Sequence, residues 1–220
     1  MNLELLYKKL LEVHGKLGKW WPGSAEEIVI SAILTQNTNW KNVERAMENL
    51  KTKCTNLNGK DFLECVYRLK SNLAELIKPA GFYNLKTQRL VNLLEWLKSY
   101  NFSMEEISKI ELNKLRVQLL KINGIGEETA DSIILYAIEK PVFVIDAYTK
   151  RLLNRLYNIK YRKYDEYKDL FESSISKDTD VYQEYHGLIV EHSKKYCNSK
   201  PMCKECNLRD MCIYPLQNQI

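Results

Sequence analysis

Leu119-Leu120-Lys121-Ile122-Asn123-Gly124-Ile125-Gly126-Glu127-Glu128-Thr129-Ala130 places two glycines between two stretches whose apolar residues recur at helical spacing. Glycine takes backbone conformations and permits close approaches that a side chain forbids. A helix starting just after it presents unpaired N–H groups and the positive end of its dipole. An anionic oxygen can dock on such a turn, and if it belongs to a nucleic-acid backbone it fixes register while leaving base sequence unread. The same residues also describe a plain corner between two helices, and the segment alone leaves both readings open.

Outward from the turn, apolar residues keep returning every three or four positions, the signature of stacked amphipathic helices. The pattern predicts helices near residues 2–17, 24–36, 39–53, 59–69, 71–78, 84–99, 103–108, 112–120, 127–138, 146–157, 163–174 and 179–195. The fold class expected is all-α, with no strand. Breaks fall at Trp20-Trp21-Pro22-Gly23, Pro79-Ala80-Gly81, Asn123-Gly124-Ile125-Gly126 and Pro141, where proline or glycine interrupts the period. There is no internal repeat and no flexible linker, so any two lobes are expected to share a continuous interface.

Of the 220 residues, 45% are apolar, enough for a sizeable core. The most apolar stretches, 28–34 and 133–145, are far shorter than the roughly 20 residues of a bilayer span. Met1 to Leu11 mixes Glu and Lys with leucines, where a secretory signal needs an unbroken apolar run. These features predict a soluble cytoplasmic protein with no membrane partner, associated with the nucleoid if the source is prokaryotic. A net charge of +5 and a pI near 8.7 suit a polyanionic partner, but equally basic proteins have none.

Beyond the turn comes Pro141-Val142-Phe143-Val144-Ile145-Asp146-Ala147-Tyr148-Thr149-Lys150-Arg151-Leu152-Leu153-Asn154-Arg155, in which one acid follows an apolar run and opens a basic helix. Asp146 is therefore expected to be partly desolvated. An ionised carboxylate there can stabilise positive charge growing on a sugar ring and orient or deprotonate an attacking water. Asp is also a favoured helix N-cap, and both roles can hold at once.

Near the end, Cys197, Cys203, Cys206 and Cys212 form C-x5-C-x2-C-x5-C among Lys194, Lys195, Lys200, Lys204 and Arg209. Four thiolates on a short, loop-rich segment signal metal. Zinc ribbons usually pair two close knuckles, and a single close pair suits a [4Fe-4S] cubane, with zinc as the alternative. Cys54 and Cys65 lie in helical stretches and are expected to be buried, inert thiols.

These motifs carry a resemblance. Ile122-Asn123-Gly124-Ile125-Gly126-x-x-Thr129-Ala130 resembles the helix-hairpin-helix of the endonuclease III superfamily of DNA glycosylases. Val144-Ile145-Asp146 with Arg151 and Asn154-Arg155 resembles its catalytic-aspartate motif, and the cysteines resemble its [4Fe-4S] loop, with a first gap one residue shorter than usual. The likeness runs from about residue 20 to residue 213. It implies a six-helix barrel over 22–135 containing the hairpin (112–138), and a cluster lobe made of 1–21 and 136–220 with the cluster loop at 197–212. DNA would lie in the cleft between them, facing Asp146.

The resemblance also implies roles. Gly124, Gly126 and Thr129 would hold a DNA phosphate, and the carbonyls of Leu120, Ile122 and Ile125 a monovalent cation, Na+ or K+. Members that cut the DNA backbone carry a lysine two residues after the second hairpin glycine, where its amine forms a Schiff base. Glu128 occupies that position here and cannot form an imine, although Lys121 and Lys150 lie nearby in sequence.

Ile33-Leu34-Thr35-Gln36-Asn37-Thr38-Asn39-Trp40 resembles the segment whose glutamine fills the space of an extruded nucleotide. Without the likeness, Gln36 reads as a polar helix end. Gly81-Phe82-Tyr83-Asn84-Leu85-Lys86 matches a second block, with Lys86 and Arg89 placed to touch the DNA backbone.

Trp20-Trp21-Pro22, with the segment from Leu34 to Glu44, resembles the branch that excises methylated purines, the 3-methyladenine DNA glycosylase III group. Trp20, Trp21 and Trp40 would then form the base pocket, since cationic alkylated bases stack well on electron-rich rings. Tryptophans beside a proline also serve as core anchors. The function implied is a monomeric, monofunctional N-glycosylase acting on double-stranded DNA that contains a damaged base. The alternatives are a bifunctional glycosylase and lyase for oxidised pyrimidines, a mismatch glycosylase, and a non-catalytic DNA-binding iron–sulfur protein.

Overall fold

The structure, a computed structural model, describes residues 1–217; the last three residues of the expected second lobe lie outside them. Thirteen α-helices and no strand occur among the described residues. They are α1 (Leu3–His14), α2 (Ala25–Leu34), α3 (Trp40–Lys53), α4 (Gly59–Arg68), α5 (Leu73–Leu76), α6 (Tyr83–Lys98), α7 (Met104–Ser108), α8 (Leu112–Leu120), α9 (Glu127–Ser132), α10 (Ala147–Tyr157), α11 (Tyr164–Ser174), α12 (Thr179–Lys195) and α13 (Tyr214–Gln217). Among the described residues, no helix is long and apolar enough to cross a membrane.

The chain divides into two compact units, one spanning Pro22–Lys140, the other made of residues 1–21 and the chain from Pro141 onward. The break therefore falls at 140/141, five residues beyond the expected 135/136. The reason is local. The helix expected over 127–138 passes from α9 into a π-helical turn, Ile133–Ala137, whose five residues are all buried. This turn packs on α2, and the Lys140 amide closes back on the Ile134 carbonyl at 3.0 Å.

In the 22–140 unit, α2 is the central element: every residue from Ile28 to Leu34 is buried, and α3, α4, α6 and α9 pack around it. A helix apolar on all sides is stable only when surrounded. Ser24 starts it with a reciprocal capping box to Glu27, satisfying two otherwise orphaned amides. Cys54, at the end of α3, and Cys65, in α4, form a disulfide, which corrects the expectation of two separate thiols. The α3–α4 connection folds back far enough to bring their Cα atoms to 5.9 Å, inside the range a disulfide spans.

The other unit is built on α12, which packs on α1 and α10 and buries Tyr182, Tyr185, Leu188 and Ile189. Phe143 stacks on Phe171 at 4.0 Å between ring centroids, with Tyr182 and Tyr185 edge-on to it. Val142 to Ile145 run buried without helix or strand, so other partners must satisfy their amides. The Phe143 N–H donates to the Glu172 carboxylate at 2.9 Å, and the Ile145 N–H donates to the Tyr164 hydroxyl at 3.0 Å. These two bonds set the direction in which the chain delivers Asp146.

Candidate active site and cysteine cavity

Asp146 is the N-cap of α10: its backbone is extended, and Oδ1 accepts from the Thr149 amide at 2.7 Å. The side chain is buried, and His186 Nε2 of α12 stands 3.7 Å from Oδ2. That separation is longer than an ordinary hydrogen bond, so the contact is a close polar approach of the ring nitrogen to the carboxylate. Burial opposes ionisation of Asp146. The His186 ring and the Thr149 amide together outweigh it and hold the carboxyl below its ordinary value. Asp146 is thus a desolvated group that remains an anion.

His186, which no sequence motif singles out, is itself buried, and the Trp20 indole meets it edge-on at 5.5 Å. Trp20 is half-buried, with Nε1 donating to Glu191 at 3.1 Å and the Lys194 ammonium 5.6 Å from its ring centroid. Of the three expected pocket tryptophans, Trp21 is 7% exposed and edge-on to Trp20, which makes it a core anchor. Trp40 belongs to the 22–140 unit, half-buried on the first turn of α3, where Nε1 donates to Glu44 at 3.0 Å.

Within the 22–140 unit, four expected DNA-contacting residues come together. Gln36 Nε2 donates to the Gly124 carbonyl at 3.2 Å and to the Thr129 hydroxyl at 3.0 Å. Arg89 Nη1 donates to Gln36 Oε1 at 2.5 Å. Gly124 has φ +96°, and a Cβ there would collide with the Arg89 side chain, so both conformation and space require glycine. Gly126 differs. It is the extended N-cap of α9, exposed, and a Cβ there would meet open space, so nothing inside the chain demands glycine.

Glu127 and Glu128, both exposed, occupy the first turn of α9, where they complement the helix dipole and set negative charge beside the turn. The Ile122 carbonyl accepts from the Ile125 amide at 3.1 Å, while both side chains are buried beneath the turn and Leu120 is half-buried.

Lys86 corrects the sequence reading. It is 1% exposed, and its ammonium donates to the carbonyls of Leu34 at 2.8 Å and Ala80 at 2.7 Å, so it cannot touch DNA. It caps the C-terminal end of α2, two residues before Gln36. Burial, with the Arg89 charge nearby, lowers its pKa to about 8. Phe82, by contrast, was passed over in sequence. It is 68% exposed on a left-handed backbone with φ +45°, a conformation that costs energy for an aromatic residue and tends to persist where function needs it.

The four C-terminal cysteines line one small cavity of about 20 Å³, together with Leu152, Arg155, Leu156 and His192. The Cys197 carbonyl accepts from Arg151 Nε at 2.8 Å and Arg155 Nη1 at 3.0 Å, and Arg155 Nη1 also lies 3.3 Å from Cys197 Sγ. His192 Nε2 is 3.4 Å from Cys206 Sγ. Among the described residues, no three His, Cys, Asp or Glu side chains converge closely enough to hold a single metal ion.

A helical hairpin whose first glycine is required by both conformation and space, followed along the chain by a buried aspartate that caps the next helix, defines a helix-hairpin-helix protein. Residues 30–177 match the HhH-GPD superfamily of base excision DNA repair proteins, and the chain belongs to that superfamily: it is a DNA glycosylase. A Methanocaldococcus jannaschii protein named as a DNA repair glycosylase is 48% identical over 215 residues, which are 94% of each chain. Endonuclease III of Sulfolobus acidocaldarius is 29% identical over 196 residues, 86% of this chain and 82% of that one. Among solved structures, H. pylori 3-methyladenine DNA glycosylase (MagIII) bound to 1,N6-ethenoadenine superposes with a TM-score of 0.78 at 30% identity, covering 89% of this chain and 98% of that one.

Proposed function

We propose that the protein is a monomeric, monofunctional DNA N-glycosylase that flips a damaged base out of duplex DNA and hydrolyses its bond to deoxyribose, with an alkylated purine such as 3-methyladenine as substrate. The observation that carries the reading is Asp146, buried yet held as an anion. A fixed carboxylate shielded from water stabilises a nearby cation far more than one in bulk solvent does. The base leaves with the electron pair of its C1′–N bond, positive charge develops on the sugar, and water attacks C1′ while its proton passes to Asp146. Glu128 supports hydrolysis over lyase chemistry, because a carboxylate forms no Schiff base. The likeness to MagIII and the electron-rich, half-buried indole of Trp20 support a cationic purine.

Gly124, Gly126, Thr129 and Arg89 would grip the phosphate backbone on this reading, with Gln36 as the wedge and a monovalent cation on the hairpin carbonyls. The cysteine cavity fits a [4Fe-4S] cluster held by Cys197, Cys203, Cys206 and Cys212. Four thiols line one cavity, and among the described residues no three of them converge on a single ion, whereas zinc would draw all four sulfurs to about 2.3 Å from a single point. Such a cluster would supply a four-point covalent cross-link, and glycosidic hydrolysis requires no electron from it. Brown colour in protein purified without oxygen is the expected result, and a colourless zinc protein the contrary one.

The deciding experiment is an excision panel of duplexes with alkylated, oxidised, deaminated or mismatched bases. The protein should release the alkylated purine and leave a strand that breaks only on alkali or heat, and Asp146→Asn should bind the duplex without releasing base. Strand scission without alkali would replace the reading with a bifunctional one. Base release from no duplex would replace it with a DNA-binding role alone.

A further inference from the structure

We infer that His186 is a positioning residue that ties the Trp20 indole to the Asp146 carboxylate, an inference that rests on the excision reading above. Gly187, Glu191 and Lys194 lie one above another on α12, at i, i+4 and i+7, and Trp20 lies along that face. Gly187 lets the indole sit directly on the helix backbone: a Cβ there would come within 2.8 Å of Trp20 Cγ. Glu191 accepts from the indole N–H and Lys194 stands over the ring, so α12 alone fixes the indole at three points.

His186 continues the chain of contacts. Its ring takes the indole edge-on, at 5.5 Å and 86°, and its Nε2 is turned toward Asp146 Oδ2 at 3.7 Å. With Thr149 holding Oδ1, the carboxylate has a separate neighbour for each oxygen. At 3% exposure the imidazole has little water around it to take over that place if it is removed. A base stacking against the half-buried Trp20 would therefore bear, through one intervening ring, on the group that meets the sugar cation. The Thr149 cap fixes the Asp146 rotamer through Oδ1, and His186 is what keeps Oδ2 from shifting about that anchored oxygen.

The test compares His186→Phe, which keeps a ring edge against Trp20 but loses the nitrogen, with His186→Gln, which restores an N–H without the ring. On a duplex carrying one alkylated purine, with enzyme in excess, His186→Phe should release base about 10- to 100-fold more slowly, the cost of a carboxylate displaced by about an ångström. Its affinity for a duplex with a stable abasic-site analogue should stay within about twofold of wild type, and His186→Gln should recover most of the rate. Wild-type rates in His186→Phe would overturn the inference, as would equal losses in both variants that track melting temperature. Should the wild-type protein release no base, the excision reading fails, and the 15N signals of the His186 ring decide this one separately. A shift on Asp146→Asn upholds the pairing, and unchanged signals dismiss it.

Discussion

Replacing Lys86 with methionine should destabilise the protein far more at pH 9.5 than at pH 7. In the native structure the side chain supplies two buried donors to the Leu34 and Ala80 carbonyls, and methionine fills similar volume with none. Stripping two buried carbonyls costs about 2 to 6 kcal/mol. At pH 7 much of this is offset, because the variant no longer buries an ammonium. The pKa near 8, against 10.5 for a free lysine, measures that burden, since the folded state gives up the proton first. From pH 8 to 10.5 the unfolded chain binds more protons than the folded one, so wild-type stability rises with pH while the neutral amine still donates. Between pH 7 and 9.5 the wild-type advantage should grow by about 2 kcal/mol, or roughly 4–8 °C in melting temperature. Other groups titrate alike in both proteins and cancel. Thermal melts of the pair at the two pH values measure the difference, and a gap constant to within about 0.5 kcal/mol would refute a buried, donating Lys86.

Four further substitutions separate local effects. Gly124→Ala forces a side chain into a left-handed position against Arg89 and should cost about 1–3 kcal/mol while weakening DNA binding. Gly126→Ala, with open space at its Cβ, should leave the melting temperature within about 1 °C but reduce affinity for duplex DNA, and unchanged affinity would remove that turn from the interface. Because the Asp146 carboxyl lies below its ordinary 3.8, its charge adds stability above that pH and loses it as pH falls through the folded value. The stability difference between wild type and Asp146→Asn, followed in urea, should therefore be constant from pH 7 to 5 and shrink in stronger acid. Cys65→Ser opens a loop of sequence separation 11 and should cost about 2–3 kcal/mol, mimicked in wild type by reductant. A melting curve indifferent to both changes would rule out the Cys54–Cys65 bond.

What could be read in sequence was whatever has a local cause. Asp146 marked the start of α10, and the twelve expected helices lie within a few residues of their places because the apolar period that announces each one is local. The π-helical turn escaped because Ile133 to Ala137 are apolar on every side, so no period distinguishes one helical winding from another. Lys86 looked like a surface cation because its two carbonyl partners, one of them 52 residues away, exist only once α2 and α6 have packed. His186 lies 40 residues beyond Asp146 on a helix with many buried positions, and nothing in its neighbours reports which of those faces the carboxylate. The Cys54–Cys65 pairing likewise depends on how tightly the α3–α4 connection turns.

The two readings of Asp146 left open by the sequence are reconciled by its two oxygens. Oδ1 is taken by the Thr149 amide, which is the capping role, and a cap fixes the side-chain rotamer because the amide cannot move without unwinding the first turn of α10. Oδ2 has no share in that bond and lies toward His186. A helix N-cap in solvent would serve the helix alone, and any of Asn, Ser or Thr would serve equally well. Capping from a buried position, at the end of a run whose amides are held by Glu172 and Tyr164, converts the same bond into a mount for a charge. On the proposed reading the structural role makes the chemical one possible: the helix start holds the carboxylate where desolvation would otherwise drive it to protonate or turn away.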